Sequence, residues 1–72
     1  IETADRLARD IDEARSLLDR TEGMELMVPY LRTRLSDTLA RAEQTPAGSA
    51  DMESIMSTLE DLMNQVRENA GL

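Results

Sequence analysis

Fifteen carboxylates, eight arginines and a single phenol, Tyr30, are the groups of this 72-residue chain on which chemistry could rest. His, Cys, Lys and Trp do not occur. Imidazole acid–base catalysis, a thiolate nucleophile, a lysine Schiff base and soft-metal ligation therefore have no residues to run on. What remains is carboxylate chemistry, and the densest carboxylate group is Asp10-Ile11-Asp12-Glu13. Its Asp-x-Asp start suits a calcium loop, but such a loop needs Gly at its sixth position and Glu at its twelfth. Those positions are Arg15 and Thr21. A di-iron site in a helical bundle needs Glu-x-x-His pairs, which a chain without His cannot supply. A two-carboxylate hydrolase needs a cleft that holds both acids at a set separation, and so short a chain has little material for one. The carboxylates read as solvated helix faces, and the expectation is a non-catalytic protein with no metal and no cofactor.

The arginines are unevenly placed. Residues 1–23 hold seven acids and four arginines, 24–48 three and three, and 49–72 five and one. The middle segment, with Arg32-Thr33-Arg34 and Arg41, is thus the relatively positive element between two acidic ones. Its arginines are expected to pair with acids of the neighbouring helices or of a second subunit. A DNA-recognition helix belongs to a more basic domain and brings more polar residues to base edges. At a net charge of −7 the chain lacks the basic face that nucleic acid or anionic lipid demands. Its longest apolar run, residues 26–31, is far short of the roughly 18 residues of a membrane span. No signal-peptide pattern is visible, so the expected location is cytoplasmic. Ile1 in place of Met is what an excised domain, or a chain that has lost its start, is expected to show.

Three segments must position these groups. Gly23 and the run Gln44-Thr45-Pro46-Ala47-Gly48-Ser49 divide the chain, and residues 44–49 read as a flexible linker within a single domain spanning 1–72. The expected class is all-α, with three amphipathic helices at about 3–22, 26–43 and 50–69 forming a small bundle. In the first, Ala4, Leu7, Ile11, Ala14 and Leu18 recur at three- and four-residue spacing and share one face. Thr3 is its expected N-cap, Gly23 its left-handed C′ residue, and Glu2/Arg6 and Asp5/Arg9 are helical acid–base pairs. In the second, Val28, Leu31, Leu35, Leu39 and Ala42 repeat the pattern, and Asp37/Arg41 adds a pair.

Pro29 lacks an amide proton and fits only a first turn or a kink. The second helix is therefore expected to start between Glu25 and Met27, with a helix continuous through Gly23 as the alternative. Met24 and Met27 are expected to pack beneath the turn. The third segment is the most regular: Met52, Ile55, Leu59, Leu62, Val66 and Asn69, widened by Met56, Met63 and Ala70. That stripe covers about three positions in seven, the width of a bundle helix. Ser49 or Asp51 caps it and Gly71 closes it. No alternating β-branched run signals a strand. Leu7, Ile11, Leu18, Val28, Leu31, Leu35 and Leu39 form the expected core or dimer surface.

Five methionines are the unusual feature of the composition. Met fills irregular core gaps and also serves adaptable binding grooves. Three of the five lie on the apolar face of the third segment, which follows the linker and is the most acidic of the three. This suits a helix that docks into a partner's groove. Ile55, Leu59, Leu62, Met63 and Val66 would face the partner. Glu60 and Asp61, largely solvated at the rim, would steer it toward a basic helical segment of another subunit.

The order helix, helix, linker, acidic helix resembles that of the C-terminal docking domains of modular polyketide synthases. The stretches that carry the resemblance are Ile11-Asp12-Glu13-Ala14-Arg15-Ser16-Leu17-Leu18, Leu31-Arg32-Thr33-Arg34-Leu35 and Leu59-Glu60-Asp61-Leu62-Met63. The resemblance implies that the first two helices of each chain build a homodimeric bundle. It also implies that the last helix binds the N-terminal coiled coil of the next synthase subunit. A closed three-helix bundle is the alternative arrangement of the same helices.

Leu, Ile, Val and Phe together number 15 of 72, just above the composition at which disorder becomes the default. So small a core predicts a homodimer. The functional expectation is a non-catalytic association module that uses its acidic third helix. The rivals are a small acidic regulator, such as a secretion-type chaperone or an inhibitor imitating nucleic acid, and a plain structural bundle.

Overall fold

The amphipathic segments fold as α1 (Glu2–Arg20), α2 (Leu31–Gln44) and α3 (Met52–Ala70). The computed structural model describes residues 2–46 and 48–72, with side chains from Ala4 onward, and contains no strand among them. The expected Thr3 cap and the Glu2/Arg6 pair involve side chains outside the described set, as does Ala47 of the linker. No helix of the described residues is long and apolar enough to cross a membrane.

A 19-residue helix is about 28 Å long, and the molecule measures 36 × 17 × 16 Å, so the helices lie along its long axis. Two ion pairs set their direction. Arg6 bonds Glu60 and Arg67 bonds Glu13, each pair 54 residues apart in sequence, which makes α1 and α3 parallel. The intervening α2 must then run back, leaving the α1–α2 loop and the C-terminus of α3 at one end of the rod.

Along α2 the buried residues are Leu31, Leu35, Leu39 and Ala42, the face expected from the spacing, with Val28 half-buried before it. Along α3 they are Met52, Met56, Leu59, Leu62, Met63 and Val66, with Ile55 and Ala70 packed against them. In α1 the seam is Leu7, Asp10, Ala14, Leu17 and Thr21, while Ile11 and Leu18 lie at its edge, half-buried. It is rotated by about one residue from the expected stripe. Asp10, expected on a solvated helix face, is buried in this seam.

The helix boundaries follow from the breakers. Thr21 ends α1, its hydroxyl donating to Leu17 O at 2.8 Å. Gly23, at φ 80°, occupies the following turn, closed by Met24 N–H on Thr21 O at 3.1 Å, rather than the C′ position. The start of α2 is Leu31, not residue 26. Leu31 N–H bonds Val28 O at 3.2 Å, and Tyr30 has φ −83° and ψ −1°. This is a type I turn with Pro29 at the position where its fixed φ is preferred, so the proline precedes the helix. At the far end, Gly71 at φ 72° lets Leu72 N–H reach Arg67 O at 2.9 Å, the Schellman closure. Asp51 is the N-cap residue of α3 but makes no side-chain cap bond.

Candidate functional site

Four large hydrophobic side chains are exposed among the described residues: Met24 (41%), Met27 (90%), Tyr30 (59%) and Leu72. The first three belong to the α1–α2 loop, and Leu72 follows α3 at the same end of the rod. Within the loop Leu26 turns into the core, which forces its neighbours outward. The methionines expected to pack beneath the turn are therefore its protruding part.

The loop stands on a tied base. The last carbonyls of any α-helix lack intrahelical partners, and here α2 supplies a donor. Arg32 Nη2 bonds Leu18 O at 2.8 Å, and its Nε bonds Thr21 Oγ1 at 3.0 Å. Thr21 is fully buried, so one guanidinium closes the end of α1 and pins α2 to it. Arg32 thus serves backbone and hydroxyl oxygens rather than the acid expected of it. Arg34 and Arg41 make no ion pair among the described residues.

Two depressions flank Arg32. One, of about 390 Å³, is lined by Met24, Glu25, Leu26, Pro29 and Arg32. The other, of about 480 Å³, lies between α1 and α2 and is lined by Leu18, Asp19, Glu22, Arg32, Thr33, Ser36 and Asp37. Residues 19–34 carry three acids and three arginines, so this end is locally neutral. The whole charge of −7 falls on the remaining chain.

The expected docking stripe has a different fate. Leu59, Leu62, Met63 and Val66 are buried in the chain's own core, and Ile55 is half-buried there. In the closed bundle the four buried side chains have almost no surface to offer a partner. Glu60, expected to be solvated, accepts a two-pronged bond from Arg6 at 2.9 and 2.6 Å. Asp61 alone of that group is exposed.

The carboxylates of Asp10-Ile11-Asp12-Glu13 point apart. Asp12 lies 3.9 Å from Arg15, Glu13 bonds Arg67 at 3.0 Å, and Asp10 is buried in the seam. Among the described residues no group of three or more His, Cys, Asp or Glu could hold a metal ion. Burial, then the hydrogen bond and charge of Glu60, raise the Asp10 carboxyl to about 6, against smaller opposition from Arg6. Glu60 is lowered, chiefly by its bond from Arg6. The buried Asp10 Oδ2 has no hydrogen-bond partner. Asp10 lies three residues beyond Leu7, on the same helical face, so spacing rather than polarity is the signal of its burial. No family model, curated protein or solved structure matches this chain.

Proposed function

We propose that the protein is a non-catalytic association module that engages its partner through the α1–α2 loop end. The observation that carries this reading is Met27, 90% exposed between the exposed Met24 and Tyr30 on a base tied by Arg32 and Thr21. Interface cores are enriched in Met, Tyr and Arg and depleted in acids, and this end holds those types at zero net charge. A side chain as exposed as Met27 gains most from a partner with an apolar hollow. The acidic flanks stay solvated and keep other contacts weak. The docking-domain form, in which α3 itself binds, requires the bundle to release its own core first.

The experiment is selection of displayed random protein fragments on the full chain. Each ligand is then retested against Met27→Ser/Tyr30→Ser and against Asp12→Arg/Asp61→Arg on the flanks. Loop-directed ligands lose about tenfold or more in affinity on the first variant, as happens when central anchors are removed, and little on the second. Ligands that ignore the loop and follow the flank charge would overturn the reading in favour of the acidic inhibitor.

A further inference from the structure

We infer that the loop end is self-complementary and that its occupant is a second copy of this chain, docked end to end about a two-fold axis. The inference rests on the association reading above and names its partner.

Three features of this end support it. The first is shape. Met27, 90% exposed, follows Leu26 in the loop, and Met24, Glu25, Leu26, Pro29 and Arg32 line a hollow of about 390 Å³. An isologous contact places the same patch on both sides, so a knob and a hole at one end is the arrangement that lets each copy fill the other. The second is local charge. Residues 19–34 balance three acids with three arginines, and a two-fold axis can set Glu22 and Glu25 of one copy toward Arg20 and Arg34 of the other.

The third is long-range charge. Each copy carries −7, and side-by-side packing would bring two acidic flanks within the 16–17 Å width of the rod. End-to-end docking separates the centres by the rod's 36 Å length, several times the Debye length of about 8 Å at physiological salt. This end is therefore the place where self-association costs least. Its cross-section of 17 × 16 Å is well below the roughly 800 Å² per partner of a standard stable interface. The dimer is accordingly weak and forms at high micromolar to millimolar concentration.

The native chain has no cysteine, so single-cysteine variants report contact without interference. Met27→Cys marks the loop end and Ser57→Cys, exposed on α3, marks the flank. A short bismaleimide joins Met27→Cys copies about tenfold faster than Ser57→Cys copies, and Met27→Ser in the unlabelled chain weakens self-association by a similar factor. X-ray scattering of the concentrated native chain gives a long dimension close to twice the 36 Å of one copy. Equal or faster joining at the flank overturns the end-to-end dimer, as does a chain that sediments as a monomer at millimolar concentration. If that monomer still selects loop-dependent fragments, the second copy falls and the association reading stands; if it selects none, both fall.

Discussion

The methionines of α3 and those of the α1–α2 loop are the same residue in opposite situations. Met52, Met56 and Met63 are at most 5% exposed, whereas Met24 and Met27 are 41% and 90% exposed. In α3 the residue recurs at helical spacing and faces two other helices, so its flexible thioether fills core gaps. In the loop it lies outside any helix, and the inward turn of Leu26 leaves its neighbours outside. The difference teaches that an apolar stripe is the part of a small bundle consumed in holding it together. What it can offer others is the apolar residue that the stripe leaves out.

The contrast can be broken most directly at Leu59, which has no exposed surface. Leu59→Ala should cost about 3 kcal/mol in urea denaturation. A loss below about 1 kcal/mol, well under the range for buried leucines, would mean that the α3 seam is not a packed core. The next effect belongs to Asp10, which is buried in the α1 seam. Its folded value of about 6 lies above the ordinary 3.8. Its contribution is therefore fully present below pH 3.8 and lost as pH rises through 6, with Glu60, Arg6 and Glu13 facing it. Asp10→Asn should stabilise the fold by about 2 kcal/mol at pH 7, with the gain vanishing near pH 4. A gain independent of pH would show that Asp10 is not titrating there.

At the boundary between the two regions, Arg32→Ala removes bonds to Leu18 O and Thr21 Oγ1 and should cost about 1.5 kcal/mol. Faster amide exchange in residues 21–30 should accompany it. The smallest effect on stability is expected of Met27→Ser, within about 0.5 kcal/mol, although the same change should weaken association strongly. A large stability loss would return Met27 to the core and erase the contrast.

The faces of α2 and α3 were legible because three- and four-residue spacing of apolar side chains survives any detail of packing. Leu31, Leu35, Leu39, Leu59, Leu62 and Val66 are buried as that spacing requires. Whether α3 turned that face to its own chain or to another was not legible, because burial against either looks the same in one sequence. Asp10 and Thr21 were missed because a residue count ranks them by polarity, while their burial rests on specific partners: Glu60 for Asp10, and Leu17 O and Arg32 for Thr21. The late start of α2 follows from Val28 O being taken by Leu31 N–H in the Pro29 turn, a local geometry that periodicity does not encode. The loop end was illegible for a related reason, since Met24, Met27 and Tyr30 recur at helical three-residue spacing while residues 21–30 are not helical.

The two ion pairs between α1 and α3 are of opposite sense: α1 contributes Arg6 to the first and Glu13 to the second, against Glu60 and Arg67. A slip of α3 by two turns, about 10 Å, would present Arg67 to Arg6 in one direction and Glu60 to Glu13 in the other. Misaligned bundles of comparable apolar burial would thus meet like charge, which disfavours wrong juxtapositions. Exposed pairs of this kind add little to the depth of the native state. Their effect is on how many other states compete with it, so a chain with few large side chains still has one preferred alignment of its two long helices.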